Sequence, residues 1–218
     1  METILFQGDS ITDCFRSRDS LDNLGSGYPL LVKAELGYTY PGKYCFLNRG
    51  ISGNRIVDLY ARIKVDMINI KPDYLSILIG VNDVWHEFYE HNGVSSAKFE
   101  KIYAMLIDEL REALPKTKII IMSPFCLRAS ATDNTTDCPE KWSLFSQEVK
   151  NRAEAAKRIA EKYGLVFIPL QELFDQAARE IGNIYWLRDG VHPTEMGHEL
   201  IKRAWVNAFL NLTSKNEE

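Results

Sequence analysis

Five short runs of branched and aromatic residues, each separated from the next by a longer polar or helix-spaced stretch, constrain this chain more than any other feature. The runs fall at about 3–7, 43–48, 73–79, 117–122 and 165–168. Strands that alternate with helices pair in parallel, because the crossover helix returns the chain to the same edge. The run "YLSILIG" (74–80) has almost no polar alternation, as a strand buried on both faces requires. Between the runs, Ile56, Leu59, Tyr60, Ile63 and Met67 share one helical face, as do Phe99, Tyr103, Leu106 and Leu110. A long polar helix is predicted from about Ser143 to Tyr163, stopped by Gly164 as its C-cap. A last amphipathic helix follows Pro193, with Leu200, Ile201, Ala204, Trp205 and Phe209 facing inward. The expected class is α/β, a mostly parallel five-stranded sheet with helices on both faces.

With 218 residues, 45% of them hydrophobic, the chain can bury one sizeable core, so residues 1–218 are read as a single domain. A net charge of −4 leaves no basic footprint for nucleic acid or for an anionic membrane. The apolar runs are far shorter than a bilayer span, so no membrane partner is expected. Met1 leads straight into a strand, without a basic region or a cleavage pattern, and a cytoplasmic location is expected. Cys14, Cys45, Cys126 and Cys138 are scattered without a CxxC pair, and are read as free thiols rather than a disulfide framework or zinc site. The tail "TSKNEE" reads as frayed.

In parallel sheets of this kind, ligands bind beyond the carboxyl ends of the strands. The first strand ends in Gly8-Asp9-Ser10, the second in "NRGISGNR" (48–55) and the third in "GVNDVW" (80–85). The fourth runs through "SPF" into a long polar loop (126–141), and "RDGVHP" (188–193) precedes the last helix. Loops of that length at strand ends often serve as lids or subunit contacts. Ser, Gly, Asn, Asp and His gathered at one edge make an acyl-transfer site. A serine hydroxyl needs a neighbouring base, and a histidine titrates in the right range to be one. Asp189 stands three residues before His192, so one tight turn brings its carboxylate to the ring, where it fixes the tautomer. The amides of Ser10 and Gly53 and the Asn82 side chain are the candidate oxyanion donors.

Each of these residues also has a plainer reading. Ser10 after a strand suits a helix cap, and so does Asn82. Gly53 and Asp189-Gly190 suit ordinary turns. Asp9 and Asp13 resemble a glycosidase pair, but orienting the turn and charging the first helical turn explain them better. Those plainer readings leave His192 without a reason. His198 is expected to be a partly buried structural residue of the last helix, and Cys14 a packing residue. His86 and His91 are placed in the loop region after "NDVW", where solvent exposure is the favoured reading and substrate contact the alternative. "GSGY" (25–28) follows no strand and lacks the third glycine of a dinucleotide loop.

In order along the chain, "GDSIT", the glycine of "GISGN", the "GVND" block and "DGVHP" resemble the four blocks of the SGNH (GDSL-type) hydrolases. The resemblance spans nearly the whole chain. It implies a three-layer, flavodoxin-like α/β/α fold, Ser10 as nucleophile, Asp189–His192 completing the triad, and Ser10, Gly53 and Asn82 as oxyanion donors, with no metal or cofactor. "FQGDSITDC", "NRGISGN", "GVNDVW" and "MSPF" are similar to the cytoplasmic xylan acetylesterases of that family, which deacetylate short xylo-oligosaccharides and form oligomers. That similarity implies an acetylated sugar as substrate and a homo-oligomer. It departs at Arg188, where that subgroup often has an aromatic residue. Asp9, Trp85, Phe125, Arg128, Trp186 and Arg188 are the candidate substrate contacts. A thioesterase or lysophospholipase, and a sugar-binding protein with an idle triad, are the alternatives.

Overall fold

The computed structural model describes residues 1–20 and 22–214. Strand β1 (Glu2–Gly8) enters a single helical turn, α1 (Ser10–Asp13), and α2 (Tyr28–Thr39) crosses to β2 (Tyr44–Asn48). Helix α3 (Ile56–Ala61) runs on through a wider π-helical turn at Lys64–Ile68 to β3 (Tyr74–Leu78). Then come α4 (Val81–Glu90), α5 (Ser96–Ala113), β4 (Lys118–Met122), α6 (Lys141–Tyr163) and β5 (Val166–Ile168). Helices α7 (Leu170–Ile181), α8 (Asn183–Trp186) and α9 (Glu195–Ser214) follow. Each predicted strand is present: β1 runs one residue further than expected at each end, and the other four are one residue shorter at one or both ends. Gly164 caps α6 as expected. Of the tail, Thr213 and Ser214 are helical, and 215–218 lie outside the described residues.

The sheet is entirely parallel, in the order β2-β1-β3-β4-β5. Alternate residues of each strand enter opposite cores. Ile4 and Phe6 of β1, with Leu78 and Met122, pack against α2 and α9, where Trp205 and Phe209 are wholly buried. Leu5, Leu75, Ile77 and Ile121 pack against α3, α5 and α6. The result is the three-layer α/β/α arrangement. One polar pair crosses the first core: Trp205 Nε1–H donates to Ser76 Oγ at 2.9 Å, which satisfies both buried groups.

The strand order also fixes where a site can form. From β1 the chain moves to one side to make β2 and later returns on the other side as β3. The carboxyl ends of β1 and β3 therefore open a crevice at the point of reversal. Gly8 and Leu78 face each other in register there. A Cβ on Gly8 would stand 2.4 Å from both the Leu78 carbonyl and Thr12 Oγ1, so the elbow that delivers Ser10 closes only on glycine.

Candidate active site

Asp9, not Ser10, is the N-cap of α1: its Oδ1 accepts from the Ile11 amide at 3.0 Å. Ser10 is thereby the first helical residue, half-buried, with its hydroxyl 3.1 Å from His192 Nε2. On the far side of the imidazole, Nδ1 lies 2.7 Å from Asp189 Oδ2. A carboxylate accepts only, so Nδ1 carries the hydrogen and Nε2 turns its lone pair toward Ser10. The other Asp189 oxygen accepts from the Val191 and His192 amides at 2.9 and 2.8 Å, which makes the turn and the carboxylate–imidazole hydrogen bond one unit. Burial alone would raise the Asp189 carboxyl; the hydrogen bonds from the His192 ring and from these amides outweigh it and hold it near about 2. The same bond to Asp189 raises His192 above its ordinary value, against the opposing effect of burial.

The long loop after β4 braces this turn from behind. Leu127 N–H donates to the Gly190 carbonyl and Ala131 N–H to that of Asp189, each at 2.9 Å. Thr132 Oγ1 donates to the Leu127 carbonyl at 2.7 Å, and Tyr89 Oη to that of Ala131 at 2.9 Å. This first half of the loop is thus a support for the histidine turn.

Gly53 adopts φ +81°, a conformation that favours glycine. An added Cβ would find nothing nearer than His86 Nε2 at 3.9 Å, so the backbone conformation, not crowding, demands the glycine, and open space remains beside it. Asn82 spends one N–H on the Asn54 carbonyl at 3.1 Å, and its amide has a second hydrogen to give. The bond ties the start of α4 to the 48–55 loop.

Several residues that sequence reasoning passed over hold this loop. His86 is helical, not in a loop: its Nε2–H donates to the Gly53 carbonyl at 2.9 Å, and its Nδ1 lies 2.7 Å from Glu90 Oε2. The signal for it was the four-residue spacing from Asn82, which places both on one helical face. Asp13 does more than charge a helical turn. It accepts from Ser52 N–H and Oγ–H at 3.0 and 3.2 Å and pairs with Arg18 at 2.9 Å. Arg62 donates to the carbonyls of Gly8 (3.2 Å) and Arg49 (2.8 Å), to Asn54 Oδ1 (2.8 Å) and to Asp66 (2.8 Å). One guanidinium thus joins the end of β1 to the loop after β2.

A pocket of about 450 Å³ opens on the hydroxyl, walled by Ser10, Phe15, Ser52, Arg188, His192 and Glu195 among others. Of the candidate substrate contacts, Arg188 lines it, paired with Glu195 at 2.8 Å. Trp85 lies beside it, its ring centroid 6.4 Å from that of His192. The other four stand elsewhere. Asp9 is buried beneath α1, and Phe125 is wholly buried, stacked on Phe174. Arg128 points to solvent and pairs with Asp133 at 2.8 Å. Trp186 walls a separate hollow with Met196 and Leu200. Cys14 also reaches the pocket, and it has a partner the sequence did not disclose: His198 Nε2 lies 3.4 Å from its sulfur. His198 Nδ1 accepts from the Tyr28 amide at 3.2 Å, so the ring is a structural link between α2 and α9; burial pushes it down to about 4. All four cysteines are free. Among the described residues no His, Cys, Asp and Glu cluster is placed to hold a metal ion, and no helix is long and apolar enough to cross a membrane.

A strand-delivered serine, an imidazole and a carboxylate thus form one hydrogen-bonded line at the reversal point of a parallel sheet. The chain belongs to the GDSL-like lipase/acylhydrolase family, whose sequence model matches residues 6–200. It is a carboxylic ester hydrolase. An acetylxylan esterase of Geobacillus stearothermophilus is 34% identical over 215 residues, which cover 94% of this chain and 92% of the relative. The crystal structure of Axe2, an acetylxylan esterase from Geobacillus stearothermophilus, superposes with a TM-score of 0.82 at 32% identity, covering 95% of this chain and 93% of that one. LAE5, an alpha/beta hydrolase enzyme from the metagenome of Lake Arreo, Spain, gives 0.83 at 28% identity, covering 95% and 94%.

Proposed function

We propose that the chain is an acetyl esterase that removes O-acetyl groups from xylo-oligosaccharides through an acyl-Ser10 intermediate. The Ser10–His192–Asp189 hydrogen-bond chain carries this reading, and the likeness to acetylxylan esterases supports the substrate class. Ser10 Oγ attacks the ester carbonyl as His192 Nε2 takes its proton, and Asp189 stabilises the imidazolium that forms. The oxyanion is received by the Ser10 and Gly53 amides and by the second hydrogen of the Asn82 side chain. His192 then returns the proton to the departing sugar hydroxyl. Water, deprotonated by the same imidazole, attacks the acetyl-Ser10 carbonyl, and acetate leaves as the serine regains its proton.

Replacing Ser10 with Ala should lower kcat on acetylated xylo-oligosaccharides by on the order of 10⁴ or more and abolish labelling by a fluorophosphonate. Retained turnover removes Ser10 from the mechanism. Turnover of octanoyl but not acetyl esters by the unaltered protein moves the substrate to the lipid-like class.

A further inference from the structure

Phe15 sits where a side chain is costly to hold and has nothing within the protein to hold it for. Cys14 and Phe15 are consecutive left-handed residues, with φ +37° and +62°, and neither is glycine. The conformation is locked from several sides. Cys14 N–H donates to the Ser10 carbonyl at 3.0 Å, Arg16 N–H to that of Asp13 at 2.9 Å, and Ser26 N–H to that of Cys14 at 2.8 Å. Arg16 Nε–H donates to the Gly50 carbonyl at 2.7 Å. Glycine would meet the backbone requirement without strain, yet the position carries a phenyl ring that is 91% exposed. That ring belongs to the wall of the pocket into which Ser10 and His192 open. Strain kept at an exposed aromatic beside reacting groups is accounted for by a ligand, because no packing repays it.

The rest of the wall says which ligand. Ser26, Ser52, Arg188 and Glu195 line the same pocket and offer hydroxyl, guanidinium and carboxylate groups. Polar groups around one aromatic face suit a ring that has C–H faces and a hydroxylated rim, and suit an alkyl chain poorly. We propose that Phe15 is the stacking platform for the sugar ring that bears the scissile acetyl group, with the Arg188–Glu195 pair facing its hydroxyls. The proposal rests on the reading of the chain as a sugar acetyl esterase and assigns that reading a binding residue.

The test compares acetylated xylobiose with ethyl acetate, an ester that has no ring to stack, in the unaltered protein, Phe15→Gly and Phe15→Trp. Phe15→Gly should lower the ratio of kcat/KM for the xylobiose to that for ethyl acetate about tenfold, mainly through KM. Its Tm should be no lower than that of the unaltered chain, because glycine accepts φ +62°. Phe15→Trp should keep the ratio. An unchanged ratio in Phe15→Gly overturns the platform and leaves the esterase reading standing. Equal losses on both esters with a fallen Tm make the ring a structural element, and a drop in sedimenting mass makes it a subunit contact; either overturns the proposal. If the unaltered protein cleaves ethyl acetate and leaves acetylated xylobiose intact, the sugar reading fails, and the platform with it.

Discussion

In the proposed mechanism His192 must be neutral to take the serine proton, and its bond to Asp189 raises its proton affinity above the ordinary value of 6.5. Activity therefore rises with pH, and the acid limb of kcat/KM should turn above that value. In Asp189→Asn the raising interaction is gone, so the limb should move to lower pH while kcat falls by about 10³–10⁴ because the tautomer is no longer held; a pH–rate profile of the two proteins checks both. His86 never touches an ester in this mechanism, yet it holds the Gly53 carbonyl. His86→Ala should lower kcat on acetyl esters about tenfold or more with little change in KM, since a small displacement of an oxyanion donor is felt in the transition state. His86→Gln, whose side-chain N–H can replace Nε2–H, should recover most of that loss in the same assay.

At the scale of elements, the site is the meeting of three connections, and Arg62 at the end of α3 ties two of them together. Arg62→Ala leaves the Arg49 carbonyl without its side-chain donor and the Gly8 carbonyl with the Ile51 amide in place of two donors. It should cost about 2–3 kcal/mol in urea unfolding and lower kcat as the loop around Gly53 loosens. The strand ends, the serine elbow and the histidine turn were legible in the sequence, since each is a short run with its own local chemistry. The supports were not. Arg62, Asp13 and the 126–133 brace act on carbonyls and amides far away in sequence, and a one-chain pattern carries no trace of such partners. Phe125 and Trp186 show the same limit from the other side: an aromatic near a block reads alike whether it faces a substrate or a core.

Across the whole molecule, burial sets the pH dependence of stability. Asp9 and Asp83 are raised to about 7, chiefly by burial, and His198 is lowered to about 4 by the same cause. A carboxyl raised on folding contributes stability that is present below its unfolded value and lost as pH rises through the folded one. A histidine lowered on folding does the reverse, losing its contribution as pH falls from 6.5 toward 4. Two carboxyls outweigh one imidazole, so these groups favour mild acid. Asp83→Asn keeps an acceptor for the Ile56 amide and removes one titration. The gap in unfolding free energy between about pH 5.5 and about pH 7.5 should narrow by about 2 kcal/mol, measured with urea. Ser10 and the imidazole beside it lie 182 residues apart in the chain. A ribosome therefore adds the serine long before the imidazole. Until residue 192 has been added and has folded back to residue 10, the emerging polypeptide holds an alcohol with no base beside it.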